Sequence, residues 1–174
     1  IQDNKGNELG LGESGEIAVC GPAVFAGYYN DIIANETAFR DGWFLTGDLG
    51  HMDSNGFVFI TGRLSDMYIS GGANIYPREI EEKMLKHPAI SQVAIVGVPD
   101  QKWGEVGVAV CVKKTQANPT ENEIQVWLKN KITKYKIPKR IFFWDALPIS
   151  DYGKITKKKI KEQLLLRKDL TSQI

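Results

Sequence analysis

Apolar positions change their period along this chain. Up to Asp66 they alternate: Ile17, Val19 and Cys20 precede a Gly21-Pro22 turn, and Phe57-Val58-Phe59-Ile60 follows the hairpin sequence Asp53-Ser54-Asn55-Gly56. This predicts strands within 16–29 and at 57–61, and a mainly β first part. Beyond Asp66 the pattern becomes strand, helix, strand, strand, helix, strand, helix. Pro77 suits the first position of a helix that places Ile80, Met84 and Leu85 on one side and stops before Pro88. Residues 93–96 and 106–112 are apolar strands separated by Pro99-Asp100. Thr120 with Glu123 three residues on forms a capping box, opening a helix with Ile124, Trp127 and Leu128 inward. A strand at 140–144 and a helix over about 156–167, burying Ile160 and Leu164, complete the pattern. The fold class is α+β: a small mainly β segment, then a compact α+β domain with a small sheet and about three helices, divided at Asp66.

At 174 residues, with 43% apolar and 10% aromatic content, an ordinary buried core is available. The chain starts at Ile1, and residues 1–15 hold neither a basic start nor an apolar run. We expect no signal peptide or spanning helix, and a natural N-terminus further upstream. Cys20 and Cys111 lie in apolar alternating stretches, where a free cysteine acts as a small core residue, favouring a reducing cytoplasm. The net charge of +1 hides a division. Residues 1–66 carry 10 acidic and 3 basic groups, a net of −7, and the remainder carries 11 acidic and 19 basic, a net of +8. The second part is therefore expected to meet an anion. Lys157, Lys158, Lys159 and Lys161 read as a solvated helix face. A basic nucleic-acid-binding module using lysines 129–161 is an alternative, although no regular aromatic platform is interleaved with them.

Several short patterns carry little. Gly10-Leu11-Gly12-Glu13-Ser14-Gly15 has dinucleotide-binding spacing but precedes a strand instead of following one. Asp53-Ser54-Asn55-Gly56 starts like a calcium loop and lacks the later ligands. His51 and His87 have no cysteine or carboxylate at ligand spacing, so no metal site is expected. Asn35-Glu36-Thr37 is a glycosylation sequon by pattern only.

Four motifs, in order, carry the chemistry: Gly42-Trp43-Phe44-Leu45-Thr46-Gly47-Asp48, Gly62-Arg63-Leu64-Ser65-Asp66, Gly71-Gly72-Ala73-Asn74-Ile75-Tyr76-Pro77-Arg78-Glu79-Ile80-Glu81, and Gly153-Lys154-Ile155. Together they resemble the C-terminal third of the adenylate-forming acyl-CoA synthetases, relatives of luciferase and of peptide-synthetase adenylation domains. The likeness runs from about Gly12 to the last helix. It implies that residues 1–65 end a large N-terminal AMP-binding domain, and that 66–174 form a mobile C-terminal domain hinged at Asp66. It further implies that Asp48, projecting from a turn, accepts the ribose hydroxyls of ATP or AMP, and that Arg63 closes on ribose and nucleotide. Gly71 and Gly72 would line the tunnel for the pantetheine thiol of CoA, and Trp103 would pack on the pantetheine arm. Lys136 and Lys139, with Arg140 as an alternative, would contact the CoA nucleotide. Lys154 would enter the active site during adenylation.

Two departures from the family pattern stand out. Ala73 replaces a frequent glutamate, and Ile137 stands where some relatives carry arginine. The implied reaction joins a carboxylic acid, fatty or related, to CoA through an acyl-adenylate, with Mg2+ accompanying ATP. The family's phosphate loop and acyl pocket are not in these residues, so the chain alone is expected to be inactive without its N-terminal domain. A rival is an adenylation domain that loads a carrier protein. The Gly71–Pro77 sequence resembles the CoA ligases instead of the Arg-Ile-Glu sequence usual in that group.

Overall fold

Two bodies account for the chain, one formed by Ile1–Ser65 and one beginning at Asp66. The computed structural model describes residues 1–166. In the first body, strand β1 (Gly15–Val19) is followed by a short helix α1 (Ile32–Ala38) and strands β2 (Phe39–Arg40), β3 (Trp43–Met52) and β4 (Val58–Arg63). All pairings are antiparallel, with β3 in the middle: β1 lies along it, and it also pairs with β2 and β4. The β3–β4 hairpin closes where expected, because Asp53 Oδ1 accepts the backbone N–H groups of Asn55 and Phe57, both at 2.9 Å. The predicted strand over 16–29 is shorter than its apolar pattern suggested. It stops at Val19, since Gly21 takes a left-handed φ of 136° and Pro22 has no N–H for a ladder. Cys20, expected in the core, is exposed as a result.

The second body contains β5 (Tyr68–Ser70), β6 (Ala73–Ile75), α2 (Pro77–Met84), β7 (Ile90–Asp100), β8 (Gly104–Lys113), α3 (Glu121–Lys129), β9 (Arg140–Phe143) and α4 (Lys157–Leu165). The sheet order is β6-β5-β8-β7, with β9 running parallel beside β8. β8 is the central strand, and with β7 at the sheet's edge it forms an antiparallel hairpin paired from Ile90 and Lys113 to Asp100 and Gly104. Their apolar runs are continuous because both faces are covered. Val93, Ile95, Ala109 and Cys111 face a core shared with Ile80 and Met84 of α2 and Ile124 and Leu128 of α3. Ala94, Val96, Val108 and Val110 face a second core with Ile160 and Leu164 of α4. Truncating Leu128 to alanine, for scale, would cost on the order of 2–5 kcal/mol.

The helix boundaries follow their caps. Pro77 starts α2, and the Thr120–Glu123 box is formed at α3, with Glu123 Oε2 accepting from Thr120 N–H at 2.7 Å. Leu85, predicted on the inner side of α2, is instead 46% exposed at its C-cap. The Arg167 end predicted for α4 lies outside the described residues. Among the described residues no helix is long and apolar enough to cross a membrane.

Tyr68, 3% exposed, lies across Gly97 and Gly107, which face each other on β7 and β8. A Cβ at either glycine would run into the tyrosine side chain. Gly107→Ala should therefore destabilise the second body by about 1–3 kcal/mol. The penalty should largely vanish in a Tyr68→Ala background. Chemical denaturation of the four proteins checks this, and an additive result would contradict the close approach.

Candidate functional site

In the first body, Asp48 was expected on a turn and instead lies within β3. The strand tolerates Gly47 at φ 72°, a left-handed residue that interrupts the pleat. Thr46 Oγ1 donates to Ile17 C=O at 2.7 Å and accepts from Asp48 N–H at 3.1 Å, while Gly47 N–H donates to Glu16 Oε1 at 3.0 Å. These bonds fix the irregular segment. Asp48 pairs in register with Arg63 of β4, whose Nε donates to Asp48 Oδ1 at 2.7 Å. Both side chains remain partly open to solvent, at 31% and 57%. A pair this exposed adds below about 1 kcal/mol to stability. Its two groups are brought together and remain accessible.

In the second body a cavity of about 710 Å³ opens beside the start of β8. Three distant stretches wall it: Ser70, Gly71 and Ala73 from the β5–β6 turn, Trp103, Val106 and Gly107 from the β7–β8 hairpin, and Lys134, Tyr135, Ile137 and Lys139 before β9. Gly71 and Trp103 depend on each other. Gly71 N–H donates to Trp103 C=O at 2.8 Å, and a Cβ on Gly71 would sit 2.7 Å from the indole. With φ 57°, Gly71 is also a position that side chains disfavour. Trp103 is 45% exposed, a wall of this cavity and not a core anchor.

The expected pair of lysines separates. Lys139 reaches the cavity, but Lys136 turns away, with Nζ 2.7 Å from Glu79 Oε2. The 3-10 turn Lys134–Lys136, at three residues per turn, sends its two lysines to different sides, and Lys134 takes the wall position. Sequence reading missed Lys134 because alternating lysines carry no sign of which faces inward. Gly72, with φ 82°, completes the β5–β6 turn without lining the cavity.

Asp100 was also missed. Its side chain is only 3% exposed, and Oδ1 accepts the N–H groups of Lys102 and Trp103, both at 2.8 Å, while Oδ2 lies 3.7 Å from Lys139 Nζ. One carboxylate thus shapes the turn that carries Trp103 and faces the lysine across the cavity edge. The signal available was an aspartate at a tight turn between two strands. Desolvation pushes its carboxyl up, but the two N–H donors and Lys139 outweigh this and hold it below the usual carboxylate range.

Lys154 sits on an exposed turn just before α4. Ser150 N–H donates to Lys154 C=O at 2.8 Å, Thr156 N–H donates to Pro148 C=O at 2.9 Å, and Gly153 takes φ 74°. Its ammonium has no ion-pair partner among the described residues. Asp66 ends a 3-10 turn, Leu64–Asp66, with its carboxylate 3.0 Å from Lys157 Nζ. Lys157 is thus not on a solvated face, and Lys161 is paired too, 3.2 Å from Glu105. Among the described residues no group of three or more His, Cys, Asp or Glu side chains is placed to hold a metal ion.

Residues 79–154 match the family model of the AMP-binding enzyme C-terminal domain. The indoleacetate–CoA ligase of Aromatoleum aromaticum is 42% identical over 173 residues, 99% of this chain and 34% of that protein. The medium/long-chain-fatty-acid–CoA ligase FadD8 of Mycobacterium tuberculosis is 41% identical, over 92% of this chain and 29% of its own length. ATP-bound MatB from Rhodopseudomonas palustris superposes with a TM-score of 0.88 at 39% identity, covering 93% of this chain and 32% of MatB. The chain spans about a third of the length of these relatives.

The depressed carboxyl of Asp100 gives a signed expectation. A group whose pKa is lowered by folding adds stability above its unfolded value, about 3.9, and loses it as pH falls through the folded value. Asp100→Asn keeps an acceptor for the two N–H groups but loses the charge. It should destabilise the second body at neutral pH, and the gap to the parent should close below about pH 3.9. Urea titrations across pH test this, and a gap that ignores pH would show that the charge is immaterial.

Proposed function

This chain carries an AMP-binding enzyme C-terminal domain and belongs through it to the adenylate-forming enzymes, and on that premise we propose that it is the C-terminal portion of an acid–CoA ligase. The observation that carries the reading is the cavity. It gathers Gly71, Trp103 and Lys139 from separate stretches around an apolar wall with ammonium groups beside it, a form suited to a thiol-bearing arm that ends in phosphates. The intact enzyme would activate a carboxylic acid, fatty or related, with ATP and then pass the acyl group to CoA. Two free cysteines among the described residues fit a reducing cytoplasm.

In the first step the acid's carboxylate oxygen attacks the α-phosphorus of ATP, and the bond to the bridging oxygen breaks to release pyrophosphate. Lys154 lends a positive charge where negative charge accumulates between carboxylate and phosphate. Asp48 accepts from the ribose hydroxyls and Arg63 flanks them. In the second step the thiol sulfur of CoA attacks the acyl carbonyl and AMP leaves. Gly71 and Trp103 line the path of the arm, with Lys134 and Lys139 at the phosphates. Asp66 serves as the hinge between the arrangements for the two steps. The Mg2+ that travels with ATP finds no ready set of ligands among the described residues, so the nucleotide phosphates and residues outside this chain would hold it.

The basic half is poorly disposed for a nucleic acid. Lys136, Lys157 and Lys161 all face carboxylates of the same body.

In the intact ligase, Lys154→Ala should slow pyrophosphate release about a hundredfold or more. Synthetic acyl-adenylate supplied with CoA should still react near the parental rate. Equal loss in both half-reactions, or in neither, would make Lys154 a structural surface lysine. Lys134→Ala should raise KM for CoA about tenfold, whereas Lys136→Ala should leave it unchanged. The reverse ranking in steady-state kinetics would return Lys136 to the site.

A further inference from the structure

Helix α4 begins against its own electrostatics. Lys157, Lys158 and Lys159 occupy its first turn, no acidic residue accompanies them, and the N-cap Thr156 makes no side-chain cap bond. Cations there oppose the partial positive charge of the helix start. Among the described residues compensation comes from outside the helix, and only to Lys157: its Nζ lies 3.0 Å from Asp66 Oδ2 and 2.7 Å from Glu81 Oε1. Glu81 in turn accepts Ile95 N–H at 2.8 Å, which ties the cluster to the middle of β7. Lys157 and Glu81 are 21% and 15% exposed, whereas Lys158 and Lys159 stay open to solvent.

We infer that Lys157 is a positioning residue: it fastens the carboxylate of Asp66 and the start of α4 to one point on the second body, and so fixes the turn that presents Lys154. The inference rests on the roles proposed for Lys154 and Asp66. Lys154 stands three residues before Lys157, in a turn closed by Ser150 and by the bond from Thr156 to Pro148. With the first residue of α4 anchored, that turn has little freedom left. The same tether makes the Asp66 side chain part of the second body. A rotation that keeps the ion pair must therefore fall on the bonds before the Asp66 Cα, at the Ser65–Asp66 link. Neither consequence follows if Lys157 is one more solvated lysine.

The test uses the intact ligase as parent, Lys157→Gln, Lys157→Arg and Lys154→Ala. Three quantities are measured: pyrophosphate release from acid and ATP, thioester formation from synthetic acyl-adenylate and CoA, and amide exchange over residues 64–67. Misplacing a reacting group by about an ångström costs up to a hundredfold, so Lys157→Gln should slow pyrophosphate release about tenfold or more. Thioester formation should stay near the parental rate, and exchange at 64–67 should rise. Lys157→Arg, whose guanidinium can span two carboxylates, should restore both. If Lys157→Gln matches the parent while Lys154→Ala loses pyrophosphate release, the positioning role is overturned and the role of Lys154 stands. If Lys154→Ala also matches the parent, the reading of Lys154 has failed and this inference falls with it. Equal loss of both half-reactions in Lys157→Gln, unrescued by arginine, would reduce Lys157 to a general stabilising contact.

Discussion

Burial of the β7–β8 hairpin on both faces is the constraint from which the second body follows. With α2 and α3 packed on one side and α4 on the other, the middle of the sheet has no surface left for polar chemistry. The residues that wall the cavity come instead from the ends of the strands and the turns between elements. There the hairpin turn supplies Trp103, the β5–β6 turn supplies Gly71, and the segment before β9 supplies Lys134 and Lys139. The aliphatic layers give these turns a stiff base, and Asp100 passes that stiffness to the cavity wall through two backbone bonds.

Where sequence alone sufficed, two independent signals agreed. Period and cap coincide at α3, where the Thr120–Glu123 box precedes Ile124 and Leu128, and at α2, where Pro77 precedes Ile80 and Met84. The doubly buried strands were legible as continuous apolar runs. Failures arose where a local signal had to be weighed against tertiary context. Helix α1 went unread because it is only seven residues long, and its apolar Ile32 and Ile33 are 74% and 77% exposed, which removes the periodicity. Thr46-Gly47-Asp48 resembles a turn in any short window, yet pairing with β1 and β4 holds it in β3. Among the residues that line the cavity, Gly71 and Trp103 were readable because each type is unusual at its position, whereas Gly72 lies outside the lining. Side-chain direction among neighbouring lysines was not readable, since it depends on the helical phase of a three-residue turn.

Charge shows the same division between composition and placement. The excess of cations after Asp66 suggested a surface waiting for an anion, but much of it is matched within the body. Glu79 takes Lys136, Glu105 takes Lys161, and Asp66 with Glu81 takes Lys157. Partly buried pairs of this kind set direction more than they add stability, because desolvating the charges offsets most of the attraction. Lys154 differs from these lysines in keeping its ammonium in solvent, on a turn whose backbone is closed by its own hydrogen bonds.

The two cysteines give the chain an experimental handle. Burial pushes the Cys111 thiol up to about 12, so it stays protonated and enclosed at neutral pH, while Cys20 is exposed at the end of β1. Thiolate chemistry requires both ionisation and access. Among the described residues, a maleimide dye added to the native protein should therefore label Cys20 alone. The first body then carries one fluorophore at a known position, and a second label introduced beyond Asp66 would turn the proposed rotation at Asp66 into a distance that energy transfer can follow in solution.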